Sequence, residues 1–135
     1  MNLKNYKKTG FYVYSYKQAK EILKYSQKNN FKPYIYFKYY LISKFGIGWI
    51  KEILKLLYND FNKNKFEFVL DCKKNPALAI ICISNGFLNL KFDGNKSLMR
   101  KIKQIKDKKI IINPKIEIID LKKTKNCNKY IKRIT

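Results

Sequence analysis

The stretch FEFVLDCKKNPALAIICISNG, Phe66 to Gly86, decides the fold. FEFVL is apolar at four of its five positions, as a central parallel strand covered on both faces should be. The strand is expected to end at Asp71-Cys72. Asn75 then offers an N-cap side chain, and Pro76 falls at the first helical position, where its fixed φ helps and its missing N–H costs nothing. The run PALAIICIS carries this helix to Ser84, and Gly86 supplies a left-handed C-cap. A buried strand passing directly into a capped helix is the repeating element of a parallel α/β sheet.

The same alternation extends in both directions. Upstream, Phe11 to Tyr14 reads as a strand, and Ser15 with Gln18 forms an S-x-x-Q capping box for a helix whose apolar stripe is Ala19, Ile22, Leu23 and Ser26. Pro33 opens a second strand, Tyr34 to Phe37. KYYLISKFGIG reads as a long loop leading to a second helix from about Trp49 to Phe61, with Ile50, Ile53, Leu54, Leu57 and Phe61 as its stripe. Downstream, Phe87 to Phe92 alternates as a strand, Asp93-Gly94-Asn95 turns into a helix bearing Leu98, Ile102 and Ile105, and Lys109 to Asn113 forms a fifth strand. EIIDL adds a short final element. The pattern predicts a single α/β domain over residues 1–121. Its expected form is a three-layer fold with a mainly parallel five-stranded sheet, flavodoxin-like or Rossmann-like. A basic tail follows over 122–135.

A chain of 135 residues has the length of one domain, and its 46% hydrophobic and 30% charged residues are a globular composition. The net charge of +22 would ordinarily point to nucleic acid or an anionic surface. Here 29 of the 31 basic residues are lysine, whereas sites that read phosphate or guanine favour the bidentate arginine fork. Lys, Asn, Ile, Tyr and Phe make up 82 of the 135 residues. All five have codons dominated by A and T, so base composition accounts for much of the charge. The three cysteines show no CxxC spacing and the chain has no histidine, so no metal site is expected. No apolar run approaches the roughly 20 residues needed to cross a bilayer. Reduced thiols and the lack of an apolar segment after MNLKNYKKTG lead to the expectation of a cytoplasmic protein without membrane contact.

In open parallel sheets ligands bind beyond the carboxyl ends of the strands. Asp71 stands at such an end, where an acid can hold magnesium, accept a phosphoryl group or orient a hydroxyl, or else cap the following turn. A phospho-acceptor of the receiver type also needs an acidic pair after the first strand, and VYSYK has none there. Cys72 lies near Lys73, Lys74 and a helix start that would favour a thiolate, but with no histidine to act as base a space-filling role is the simpler one. Cys82 reads as core. Gly46 and Gly48 precede a helix near Lys44, an arrangement able to hold a phosphate on backbone N–H groups, although GxG alone is neither a dinucleotide fingerprint nor a Walker A loop. FYVYSYK and YIYFKYYLISK mix aromatic and basic residues as single-strand binders do, yet Tyr12 and Tyr14, like Tyr34 and Tyr36, have the spacing of strand residues that pack under helices with their hydroxyls reaching the sheet edge.

The residues LDC, Asn75-Pro76, Ala77-Leu78-Ala79 and Gly86, together with the Gly48-Trp49 step, resemble an uncharacterised group of small alphaproteobacterial α/β proteins. The resemblance covers most of the chain and implies a fold and a compartment, but no activity and no catalytic residues. Lys73, Lys74 and Ala77 stand where that group tends to have small residues.

The functional expectation is therefore a small anionic ligand held by Ser15, Lys44, Gly46, Gly48, Asp71 and Asn75. The alternative is non-catalytic binding of RNA or another polyanion through lysine-rich helix faces and the tail. The sequence assigns no reaction, cofactor or oligomeric state.

Overall fold

The computed structural model describes residues 9–105 and 109–121. Six strands and four helices alternate along them: β1 (Thr9–Val13), α1 (Tyr16–Lys28), β2 (Tyr34–Phe37), α2 (Tyr39–Asp60), β3 (Glu67–Lys73), α3 (Pro76–Ser84), β4 (Asn89–Phe92), α4 (Lys96–Lys103), β5 (Ile111–Ile112) and β6 (Glu117–Asp120). A 3-10 turn at Lys63–Lys65 leads into β3. Every strand pairing is parallel, and the strand order is β5-β4-β3-β2-β1-β6. The tail expected over 122–135, and Cys127 within it, lie outside the described residues.

The expected α/β class with a parallel sheet is what forms, with one strand more than the five predicted. EIID is a full strand that pairs along β1 from Thr9↔Glu117 to Tyr12↔Asp120. A layer of helices on each face, as in flavodoxin-like and Rossmann-like sheets, needs the strand order to reverse part-way. Here β1 to β5 advance in one direction, so right-handed crossovers set α1 to α4 on the same face. Burial follows that division. Phe11, Val13, Ile35, Phe37, Leu70 and Leu90 share one core with the inward stripes of the helices. The alternate strand positions, among them Tyr12, Tyr36, Val69 and Asp71, face the other side. Tyr12, Tyr14, Tyr34 and Tyr36 therefore do not pack under helices as their spacing suggested: the helices all lie on the face of Phe11 and Ile35.

Only five Cα steps lead from Ile112 at one edge of the sheet to Glu117 at the other. They reach about 18 Å at most, whereas the edges of a flat six-stranded sheet stand about 24 Å apart. The sheet must therefore coil into a partial barrel. The link passes on the helix-free side: a Cβ at Gly10 would stand 2.5 Å from the Tyr36 ring and 3.1 Å from the Ile116 side chain. Only a glycine leaves room there.

Local signals mostly act as the sequence implies. Ser15 Oγ accepts from the Gln18 N–H at 3.1 Å, while Gln18 Oε1 reaches past Ser15 to the Tyr14 N–H at 2.7 Å. Ala19, Ile22, Leu23 and Ser26 are all buried. Asn75 Oδ1 accepts from the Leu78 N–H at 3.1 Å. The N–H groups of Gly86 and Phe87 reach the carbonyls of Ile83 and Cys82, closing a Schellman motif with Gly86 at φ 88°.

Two elements differ from expectation. The loop predicted over Lys38 to Gly48 is helical, because Leu41 and Ile42 gain burial in the core by coiling. Its first residue has no side-chain cap, so the usual start signal is missing. The helix breaks at Gly46, whose φ 84° and ψ 167° are essentially closed to residues with a Cβ. β3, in turn, runs past Asp71-Cys72 to Lys73. A bulge at Cys72 leaves Lys73 opposite Phe92 with φ 47°, so the thiol turns into the helix-side core and the lysine out to solvent.

The Gly46 break and nearby Gly48 give opposite expectations. Gly46→Ala should lose about 1–3 kcal/mol of stability in urea unfolding. Gly48→Ala, where a Cβ meets open space in a helix, should be neutral or gain up to about 1 kcal/mol.

Candidate functional site

Val13, Phe37, Leu70 and Leu90 lie side by side across the four central strands. The residue after each is Tyr14, Lys38, Asp71 and Lys91. Alternation sends these four to the helix-free concave face, at the carboxyl end of the sheet. Asp120 of β6 joins them from the edge beside Tyr12. The result is a polar row in which carboxylates, ammonium groups and phenols alternate.

Asp71 is the one buried carboxylate among the described residues, 6% exposed. It is stabilised by two donors: the Tyr12 hydroxyl at 2.9 Å on Oδ2 and the Lys73 N–H at 3.0 Å on Oδ1. Asp120 accepts the Tyr14 hydroxyl at 2.6 Å and pairs with Lys38 Nζ at 2.8 Å. Lys38 Nζ lies 5.1 Å from the Tyr12 ring centre and 5.2 Å from that of Tyr14, close enough for attraction to both π faces. Tyr12 meets Tyr36 edge-on at 5.4 Å.

Burial, then the Asp71 charge, pushes the Tyr12 hydroxyl well above its ordinary range. Burial and the bond to Asp120 raise Tyr14. The bond to Asp120 is the main reason that Lys38 is also held above its usual value. These phenols and this ammonium therefore keep their protons through neutral pH, and the chain has no histidine. The row supplies fixed charges and oriented donors.

A cavity of about 470 Å3 opens beside the row, lined by Tyr39, Asp71, Lys73, Lys74, Asn75, Lys91 and Asp93. The Lys73 ammonium lies 5.4 Å from the Tyr39 ring centre, and Asn75 Nδ2 donates to the Tyr39 hydroxyl at 3.3 Å. Lys91 pairs with Asp93 at 2.9 Å. Of the residues expected to hold a ligand, Asp71 and Asn75 come together here. Ser15 is engaged as the α1 cap. Lys44, Gly46 and Gly48 lie along α2 at and around its break and do not line the cavity. Lys38, Lys91 and Asp120 were not singled out in advance. Their signal is positional: Lys38 follows Phe37, the last inward apolar residue of β2, Lys91 lies between the inward Leu90 and Phe92 of β4, and Asp120 became visible only once EIID was seen as a strand.

Cys72 is fully buried, with Sγ 3.9 Å from Cys82 Sγ. That contact, together with burial, pushes the Cys72 thiol far above its normal range, the reverse of what a nucleophile needs. Among the described residues, no group of three or more metal-ligating side chains is arranged around a common point, and no helix is long and apolar enough to cross a membrane. No family model, curated protein or solved structure matches the chain.

Two measurements check this account. Burial pushes the Tyr36 hydroxyl up to about 12 from 10.0. Between those values the unfolded chain loses its proton first, so stability falls as pH rises. One such group contributes at most about 1.4 kcal/mol per pH unit. Urea unfolding of Tyr36→Phe should show a shallower decline across this window than the parent; equal slopes would refute the assignment. Separately, iodoacetamide at pH 7 should leave Cys72 and Cys82 unmodified in the folded protein and label both in urea, as mapped by peptide mass spectrometry.

Proposed function

We propose that the protein binds a small anion, such as the phosphate or carboxylate group of a metabolite, in the cavity at the carboxyl ends of β3 and β4. The observation that carries this reading is the convergence of Lys73, Lys74 and Lys91 on one cavity whose two acids already have partners. Lys73 and Lys74 then remain as uncompensated positive charge. The amino end of α3, capped by Asn75, adds its partial positive charge on the same side. Lys73 reaches this position through a left-handed backbone at the bulge, and such strained residues cluster at functional sites. The volume falls within the ordinary range for small-molecule sites. We place the protein in the cytoplasm, a reading supported by the free thiols Cys72 and Cys82.

Calorimetric titration and thermal shift with inorganic phosphate, sugar phosphates and nucleotides test the proposal. A ligand at a hundred times its Kd adds about 2.7 kcal/mol, enough to raise Tm by several degrees. The double variant Lys73→Gln/Lys91→Gln should weaken binding at least tenfold without loss of fold. No binding of any of these anions in low salt defeats the reading. If homopolymeric RNA alone binds, with affinity falling steeply as salt rises, the polyanion reading replaces it.

A further inference from the structure

A larger cavity, about 580 Å3, lies at the opposite end of the sheet, where the amino ends of β3 and β4 meet α2 and the carboxyl end of α3. Lys51, Leu54, Lys55 and Tyr58 recur at three- and four-residue spacing, so one face of α2 forms its wall. Its floor is aromatic: the Tyr58 and Phe66 rings stand 5.4 Å apart and the Phe66 and Phe68 rings 6.0 Å apart. Phe87 and Leu88 extend this apolar surface on the α3 side. The rim is basic. Lys63 Nζ lies 5.1 Å from the Tyr58 ring centre, and none of the four ion pairs among the described residues involves Lys51, Lys55 or Lys63. The acid that lines the cavity, Glu67, is already engaged by Lys32 at 3.0 Å and by Asn89 at 3.3 Å.

An apolar floor below unpaired ammonium groups calls for a ligand with the same division. We infer that this cavity binds a small amphipathic anion, an aromatic or acyl body carrying a single acidic head. The body lies on Leu54, Tyr58 and Leu88, the half-buried apolar groups backed by the buried rings of Phe66 and Phe68, and the head faces Lys51, Lys55 and Lys63. A fully polar anion would leave the half-buried surfaces of Leu54, Tyr58 and Leu88 in water, and a neutral apolar molecule would leave three ammonium groups without a counter-charge. The site is separate from the strand-end cavity and does not depend on it.

The test uses anilinonaphthalene sulfonate, an aromatic sulfonate that fluoresces when its rings leave water, with laurate as competitor. The full chain should bind the dye at one saturable site, and laurate should displace it. Lys51→Gln/Lys55→Gln/Lys63→Gln, three exposed positions, should weaken dye binding at least tenfold while circular dichroism and Tm stay close to the parent. Lys73→Gln/Lys91→Gln, at the other cavity, should leave dye binding unchanged. Equal losses in the two variants would mean that the dye follows the overall positive charge, and the inference falls. It falls equally if dye binding does not saturate or if laurate does not compete.

Discussion

A five-step link between the two edges of a six-stranded sheet governs this molecule. Because that chain is too short to cross a flat sheet, the strands must coil, and coiling makes the two faces unequal. The convex face takes the four helices and nearly all of the apolar core. The concave face carries, besides aliphatic residues such as Val69 and Ile118, the tyrosines and charged groups, and curvature brings the tips of these together. Asp120 on the edge strand and Lys38 beyond β2 belong to strands with β1 between them, yet their side chains meet over the rings of Tyr12 and Tyr14. Asp71 reaches Tyr12 across β2 in the same way.

In so basic a chain, the nine acids are scarce, and their placement carries more information than that of the lysines. Asp71, Asp93 and Asp120 all sit at strand carboxyl ends, each bonded to a lysine or a phenol. A buried carboxylate such as Asp71 is tolerable only while its donors stay in place. The Tyr12 hydroxyl and the bulged backbone at Lys73 are thus part of the support for that acid. The bulge has a second effect, because it separates the directions of Cys72 and Lys73. One sequence stretch then serves both the core and the cavity.

The legible part of the fold was the part written in local chemistry. Asn75-Pro76 and Gly86 mark the limits of α3 because caps act over three or four residues, and the α1 stripe is read from its period. The first half of α2 was hidden because it lacks a side-chain cap, opens on two tyrosines and runs into Gly46 after seven residues. Its helicity comes from the core contacts of Leu41 and Ile42, which are long-range. Strand order was equally hidden, since right-handed crossovers are compatible with advance in either direction. The site was half legible for the same reason. Asp71 and Asn75 belong to one local junction, whereas Tyr12, Lys38 and Asp120 come together only through register and curvature.

β6 pairs with β1, the last and the first strand among the described residues, with Thr9 opposite Glu117, and this has a consequence for synthesis. A ribosome adding about 5–20 residues per second takes roughly 5–20 s to cover that interval. Throughout it, units β1 to β5 can accrete one against the next while the outer edge of β1 keeps its backbone donors and acceptors unpaired. Such an edge is a template for other extended chains. The chain is therefore open to wrong pairing along β1 until β6 is made, and its net charge of +22 opposes the approach of another copy during that interval.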